Sequence, residues 1–98
     1  MTAQTCVKIK VTDTEFKHAN KSCNPVDLAV AQTLGVDEHL VQTQRQGVLI
    51  FNNYDTIEQT YEYDNSSIVA QFMDDWDLYR LGHNISLTEF EFNLNKRK

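Results

Sequence analysis

Residues 23–35, CNPVDLAVAQTLG, place a cysteine directly before Asn-Pro and follow it with small apolar residues. Asn24 is a favoured N-cap, Pro25 suits a first helical position whose N–H has no partner anyway, and Asp27 sets negative charge in the first turn. Leu28, Ala29, Ala31, Gln32 and Leu34 continue at helical spacing, and Gly35 can adopt the left-handed conformation that ends a helix. The stretch therefore predicts a helix from Asn24 to Leu34. In that frame Cys23 stands just before the cap, where an apolar residue packs against one a turn inside, here Leu28. The competing reading is a thiol activated by helix-start amides, with His18 or His39 as its base. Nucleophilic catalysis also needs an oxyanion site, and no local signature joins Cys23 to either histidine. The packing role is the one the residues favour.

Working outward, CVKIKVT (6–12) alternates Val7, Ile9 and Val11 against Lys8 and Lys10, the pattern of a half-buried strand. Thr12-Asp13-Thr14-Glu15 fits a capping box and predicts a short helix to about Asn20, with Phe16 and Ala19 inward. On the other side, HLVQTQ (39–44) and GVLIFN (47–52) are β-prone runs around a turn at Arg45-Gln46-Gly47. TIEQTYEY (56–63) alternates Ile57, Gln59, Tyr61 and Tyr63 against polar residues, which completes a three-stranded antiparallel meander. Ser66 or Ser67 can cap a further helix carrying Ile68, Val69, Phe72, Met73 and Trp76 at three- and four-residue spacing. SLTEFEFNL (86–94) reads as a last strand with Phe90, Phe92 and Leu94 on one face. The predicted fold class is α+β, a single antiparallel or mixed sheet packed by helices in the order β-α-α-β-β-β-α-β. Ninety-eight residues fit one such domain spanning 1–98.

The net charge of −5 is unevenly spread. Residues 1–21 carry +2 and Lys96-Arg97-Lys98 adds +3, while the body between Ser22 and Asn95 holds twelve acids against Arg45 and Arg80, a net −10. Such a surface repels nucleic acid and attracts basic protein partners in a salt-dependent way. No apolar run approaches a membrane span, and MTAQTCVKIK lacks an apolar signal segment, so a cytoplasmic location is expected. The pattern Asn-x-Ser at Asn20, Asn65 and Asn84 would then be accidental, and Cys6 and Cys23 reduced.

Catalytic and cofactor chemistry find little support. His18, Cys23, His39 and His83 form no short metal-ligand pair, and three scattered glycines build no phosphate cradle. Asp75-Trp76-Asp77 starts like a calcium loop but continues without the oxygen ligands that such a loop needs. The expectation is a non-enzymatic protein without cofactor. Its candidate partner-binding residues are Asp74, Asp75, Asp77, Tyr79 and Trp76, where aromatics adjoin carboxylates near a helix's carbonyl end, a place that favours cations. Trp76, four residues after Phe72, also fits the core. The alternative to a binding role for the three aspartates is pairing with lysines of the first strand or the tail.

VKIKVT, CNPVDLAVAQTLG, a short β meander, VAQFMDDWD and a closing FEFNL together resemble small proteins of uncharacterised function from bacteriophage and bacterial genomes. The resemblance implies an α+β fold and a phage origin, and assigns no functional residue; the present chain lengthens DLYRLGHNIS before the last strand. The reading that follows is a small acidic binding module, a phage-encoded inhibitor occupying a basic, nucleic-acid-binding site of a host protein in the host cytoplasm. The alternative is a self-associating assembly module, a homodimer joined through the first and last strands or the aromatic face.

Overall fold

A computed structural model describes residues 6–19, 23–52 and 56–96. The elements are β1 (Cys6–Val11), α1 (Asp13–His18), α2 (Pro25–Leu34), a 3-10 turn (Glu38–Leu40), β2 (Val41–Thr43), β3 (Gly47–Phe51), β4 (Ile57–Tyr63), α3 (Ser66–Arg80) and β5 (Phe90–Lys96). The five strands form one curled antiparallel sheet in the order β1-β5-β4-β3-β2, an α+β fold with the element order read from the sequence.

Period-two alternation decides which side of the sheet is dry. Ile9, Val11, Val48, Ile50, Tyr61, Tyr63, Phe92 and Leu94 are buried on one face, and Ile9 faces Phe92 while Val48 faces Tyr61 across the ladders. The opposite face carries Lys8, Lys10, Glu62 and Glu91, with Lys8 and Glu91 3.5 Å apart. Helix α2 packs its Val26, Ala29 and Val30 into the core and touches both β1 and β2, the two outer strands of the sheet. It therefore spans the mouth of the curl.

The N-terminus of α2 is tied to β2 by side chains. The Asn24 carboxamide oxygen accepts from Asp27 N–H at 2.9 Å, and Asp27 Oδ2 accepts from Asn24 N–H at 3.1 Å, a reciprocal cap. Asp27 Oδ1 also accepts from Thr43 N–H (3.1 Å) and from Thr43 Oγ1 (2.8 Å), while Asn24 Nδ2 donates to Thr43 Oγ1 at 3.1 Å. The edge N–H of β2 is thereby used within the chain, which blunts that edge against pairing with another strand. Gly35 closes α2 at φ 72°, in the left-handed region anticipated for it.

Several boundaries differ from expectation. The capping box of α1 forms, Glu15 Oε1 accepting from Thr12 N–H (2.8 Å) and Oγ1 (2.7 Å), but the helix ends at His18, and Asn20 lies outside the described residues. His39 and Leu40 belong to a 3-10 turn capped by Asp37, so β2 starts only at Val41. Helix α3 is capped by Asn65, whose side chain accepts from Ile68 N–H, rather than by Ser66 or Ser67. Strand β5 begins at Phe90, four residues later than its alternation begins, because partners in β1 and β4 lie opposite residues 90–96 alone. It is also interior, flanked by β1 and β4, so pairing of the last strand with a second chain has no free edge along the stretch that both neighbours cover. Where β4 ends, Asp64 continues the ladder: its N–H donates to Asn93 O (3.0 Å) and its carboxylate accepts from Asn93 N–H (2.9 Å) and Nδ2 (3.0 Å).

Two tests follow. Burial raises the Asp27 carboxyl above its ordinary range, with the hydrogen bonds from Thr43 and Asn24 opposing the shift. An acid so raised stabilises the fold fully when protonated, below about pH 4, and loses that contribution as pH rises through its folded pKa. Asp27→Asn sets an amide N–H against a backbone N–H and should cost about 1–3 kcal/mol. The gap between wild type and variant, followed by urea unfolding, should be widest at low pH and narrow as pH rises; a gap that widens contradicts this sign. Gly47 faces Glu62, and a Cβ there would lie 2.1 Å from the Tyr61 carbonyl oxygen. Gly47→Ala should cost about 1–3 kcal/mol, the range of core overpacking, and an unchanged urea midpoint would show that the strands separate freely there.

Candidate functional site

The candidate residues lie on the C-terminal half of α3. Val69, Phe72 and Trp76, spaced by three and four, form its buried stripe, and Phe72 is fixed between Phe16 (centroids 5.7 Å apart) and Phe90 (4.8 Å). One turn on, Trp76 is only 6% exposed, so it belongs to the core and offers a partner little surface of its own. Its ring stacks on Tyr79 at 5.6 Å and 20°, and Tyr79 is 49% exposed. The pair reaches from the interior to the surface. Leu78 and Leu81, 38% and 74% exposed, are further open apolar side chains at this end of the helix that the sequence alone does not single out. The helix runs to Arg80, so Leu78 and Tyr79 lie on its last turn and Leu81 is its C-cap.

Trp76 Nε1 is buried without a hydrogen-bond partner among the described residues. An orphaned buried donor costs about 1–3 kcal/mol, so the position is held by the ring's packing and not by its N–H.

The three aspartates are drawn in different directions. Asp74 forms an ion pair with Arg45 at the β2–β3 turn, Asp75 accepts from Gln71 Nε2 at 3.1 Å, and Asp77 approaches Arg80 at 4.0 Å. Only Asp77 lies in the last turn, where Arg80 supplies the cation that the helix dipole favours. The cation meeting Asp74 is an arginine of the hairpin turn, not a lysine of β1; Lys8 pairs with Glu91, and Lys17 with Asp13 at 3.0 Å.

Cys23 is 2% exposed, its Sγ 4.0 Å from the Glu38 carbonyl oxygen, which fixes the start of α2 against the 3-10 turn. Burial pushes the thiol up, and the charges of Glu38, Asp27 and Asp37 push it further, the opposite of what a nucleophile needs. Among the described residues no group of three or more His, Cys, Asp or Glu is placed to hold a metal ion, and no helix is long and apolar enough to cross a membrane. The chain matches no family model, no curated protein and no solved structure.

Because the ion pairs of Asp74 and Asp77 are exposed, each contributes at most about 1 kcal/mol, and removing three carboxylates also relieves their mutual repulsion. Replacing Asp74, Asp75 and Asp77 together by Asn should shift stability by no more than about 1 kcal/mol, a few degrees in Tm. A larger loss in a melting experiment would assign these residues to the fold.

Proposed function

We propose that this chain is a small acidic, non-enzymatic protein-binding module whose α3 surface meets a partner with a basic face. The observation that carries the reading is the exposed end of α3, where Tyr79 is stacked on the buried Trp76, Leu78 and Leu81 are open, and Asp74, Asp75 and Asp77 lie on the same stretch of chain. Interfaces concentrate their energy in a few aromatic anchors, and surrounding charge steers approach. Exposed carboxylates whose pairs are weak can exchange Arg45 and Arg80 for a partner's cations at small cost. The resemblance to phage proteins makes a host protein's nucleic-acid-binding site the favoured target in the cytoplasm of the host. There the acidic body would present carboxylates in place of phosphates. Self-association is the second reading, supported by the exposed apolar side chains of α3 more than by the last strand, which lies between β1 and β4.

Affinity capture from bacterial lysate at low and high salt, with wild type beside Tyr79→Ser and Leu81→Ser, tests the proposal. Leu81 is 74% exposed, so Tm should hold for Leu81→Ser, and Tyr79→Ser, which also loses the stack on Trp76, should lower it by a few degrees; for both, retention of the captured partner should fall at least about fivefold, as for an anchor worth about 1 kcal/mol or more. Raising salt should weaken capture by wild type. Capture indifferent to salt and to both substitutions sinks the reading.

A further inference from the structure

A concave surface elsewhere shares no residue with the exposed end of α3. It is a groove of about 440 Å³ between α1, the outer side of α2 and residues 36–38. Its apolar lining is Leu28, Ala31 and Val36, of which Leu28 and Val36 keep part of their surface open. Three acidic residues also line it, Glu15, which is buried with its Oε1 turned to Thr12, and Asp37 and Glu38, which keep more of their surface open. Among the described residues that line the groove there is no lysine or arginine.

We infer that this groove receives a basic side chain of a protein partner, its alkyl stem lying on Leu28, Ala31 and Val36 and its cation among Glu15, Asp37 and Glu38. A long cationic side chain has that division, an apolar stem and a charged head. Arginine suits the groove best, because a planar guanidinium presents several donors to separate carboxylates and sheds water more readily than an ammonium. The acceptors are held in place before any ligand arrives. Glu15 is fixed by Thr12 N–H and Oγ1, and Asp37 Oδ1 accepts from His39 N–H at 2.8 Å. His18 also lines the groove, its Nδ1 donating to the Thr14 carbonyl oxygen at 2.7 Å, because a carbonyl can only accept. The negative field of this region is also felt by Cys23, which Glu38 and Asp37 help hold in its protonated form. The inference shares with the proposed function the premise of a basic partner, but it uses none of the α3 residues.

The test is a titration of the ¹⁵N-labelled chain with N-acetyl-arginine amide, N-acetyl-norleucine amide and spermidine, read by amide chemical shifts. The arginine probe should move the amides of Leu28, Gln32, Val36 and Glu38, and the uncharged norleucine probe should not. Glu38→Gln, which removes a rim charge, and Gln32→Lys, which places a competing cation at the groove, should each weaken the arginine response about three- to fivefold, the range of a partly exposed charge pair, with Tm retained. An equal response to norleucine, a stronger response to spermidine, or shifts confined to α3 would overturn the inference. Tyr79→Ser should leave the titration unchanged, which separates a failure here from a failure of the α3 surface.

Discussion

One carboxylate joins the helical layer to the sheet. Asp27 caps α2 through Asn24 and binds the edge of β2 through the Thr43 N–H and hydroxyl, so a single buried group fixes where the helix begins and where the outermost strand lies. Because α2 also touches β1 at the far side of the curled sheet, the position set by Asp27 governs how closely the two outer strands approach. The core residues Val26, Ala29 and Val30 can fill the curl only with the helix in that place. Burial opposes the charge on Asp27, and the hydrogen bonds at its two oxygens offset that cost in part.

Asp64 solves a related problem under opposite electrostatic conditions. It also substitutes a carboxylate for a missing strand, accepting from the Asn93 N–H and side chain beyond the end of β4. Being exposed, it loses little solvation, and the Asn93 hydrogen bonds hold its carboxyl below the ordinary range where Asp27 is pushed above it. Both close a sheet margin, one from the dry side and one from the wet.

What was legible in the sequence was local. Asn24, Pro25, Asp27 and Gly35 mark α2 by their effects on the adjacent backbone, and alternation in 6–12 and 56–63 marks two strands because side chains on successive residues face opposite ways. What escaped depends on partners distant in the chain. Asp27 reads as a first-turn charge until Thr43 is brought against it, and Asp74 as an open carboxylate until the hairpin turn delivers Arg45. Gly47 reads as a turn residue, although the closeness of the Tyr61 carbonyl is what excludes a side chain there. At the candidate site, Tyr79 and the aspartates were visible as residue types; that Trp76 lies inside, with Leu78 and Leu81 outside, depends on how far α3 continues and which way it is rotated.

The strand order also sets a sequence of events for a chain emerging from the ribosome. Strands β2, β3 and β4 are joined by short connections and can pair as soon as they exist, but among the described residues β1 has a ladder only with β5, the last of their elements. Asp13 and Glu89, which meet at 2.8 Å just past that ladder, are 76 positions apart. The chain must therefore close its longest loop before its first strand finds a place, and contacts of such separation are the slow ones. Until translation reaches β5, Ile9 and Val11 have no strand to cover them, and the lysines at positions 8 and 10 are what discourage that segment from joining its like on a neighbouring polysome.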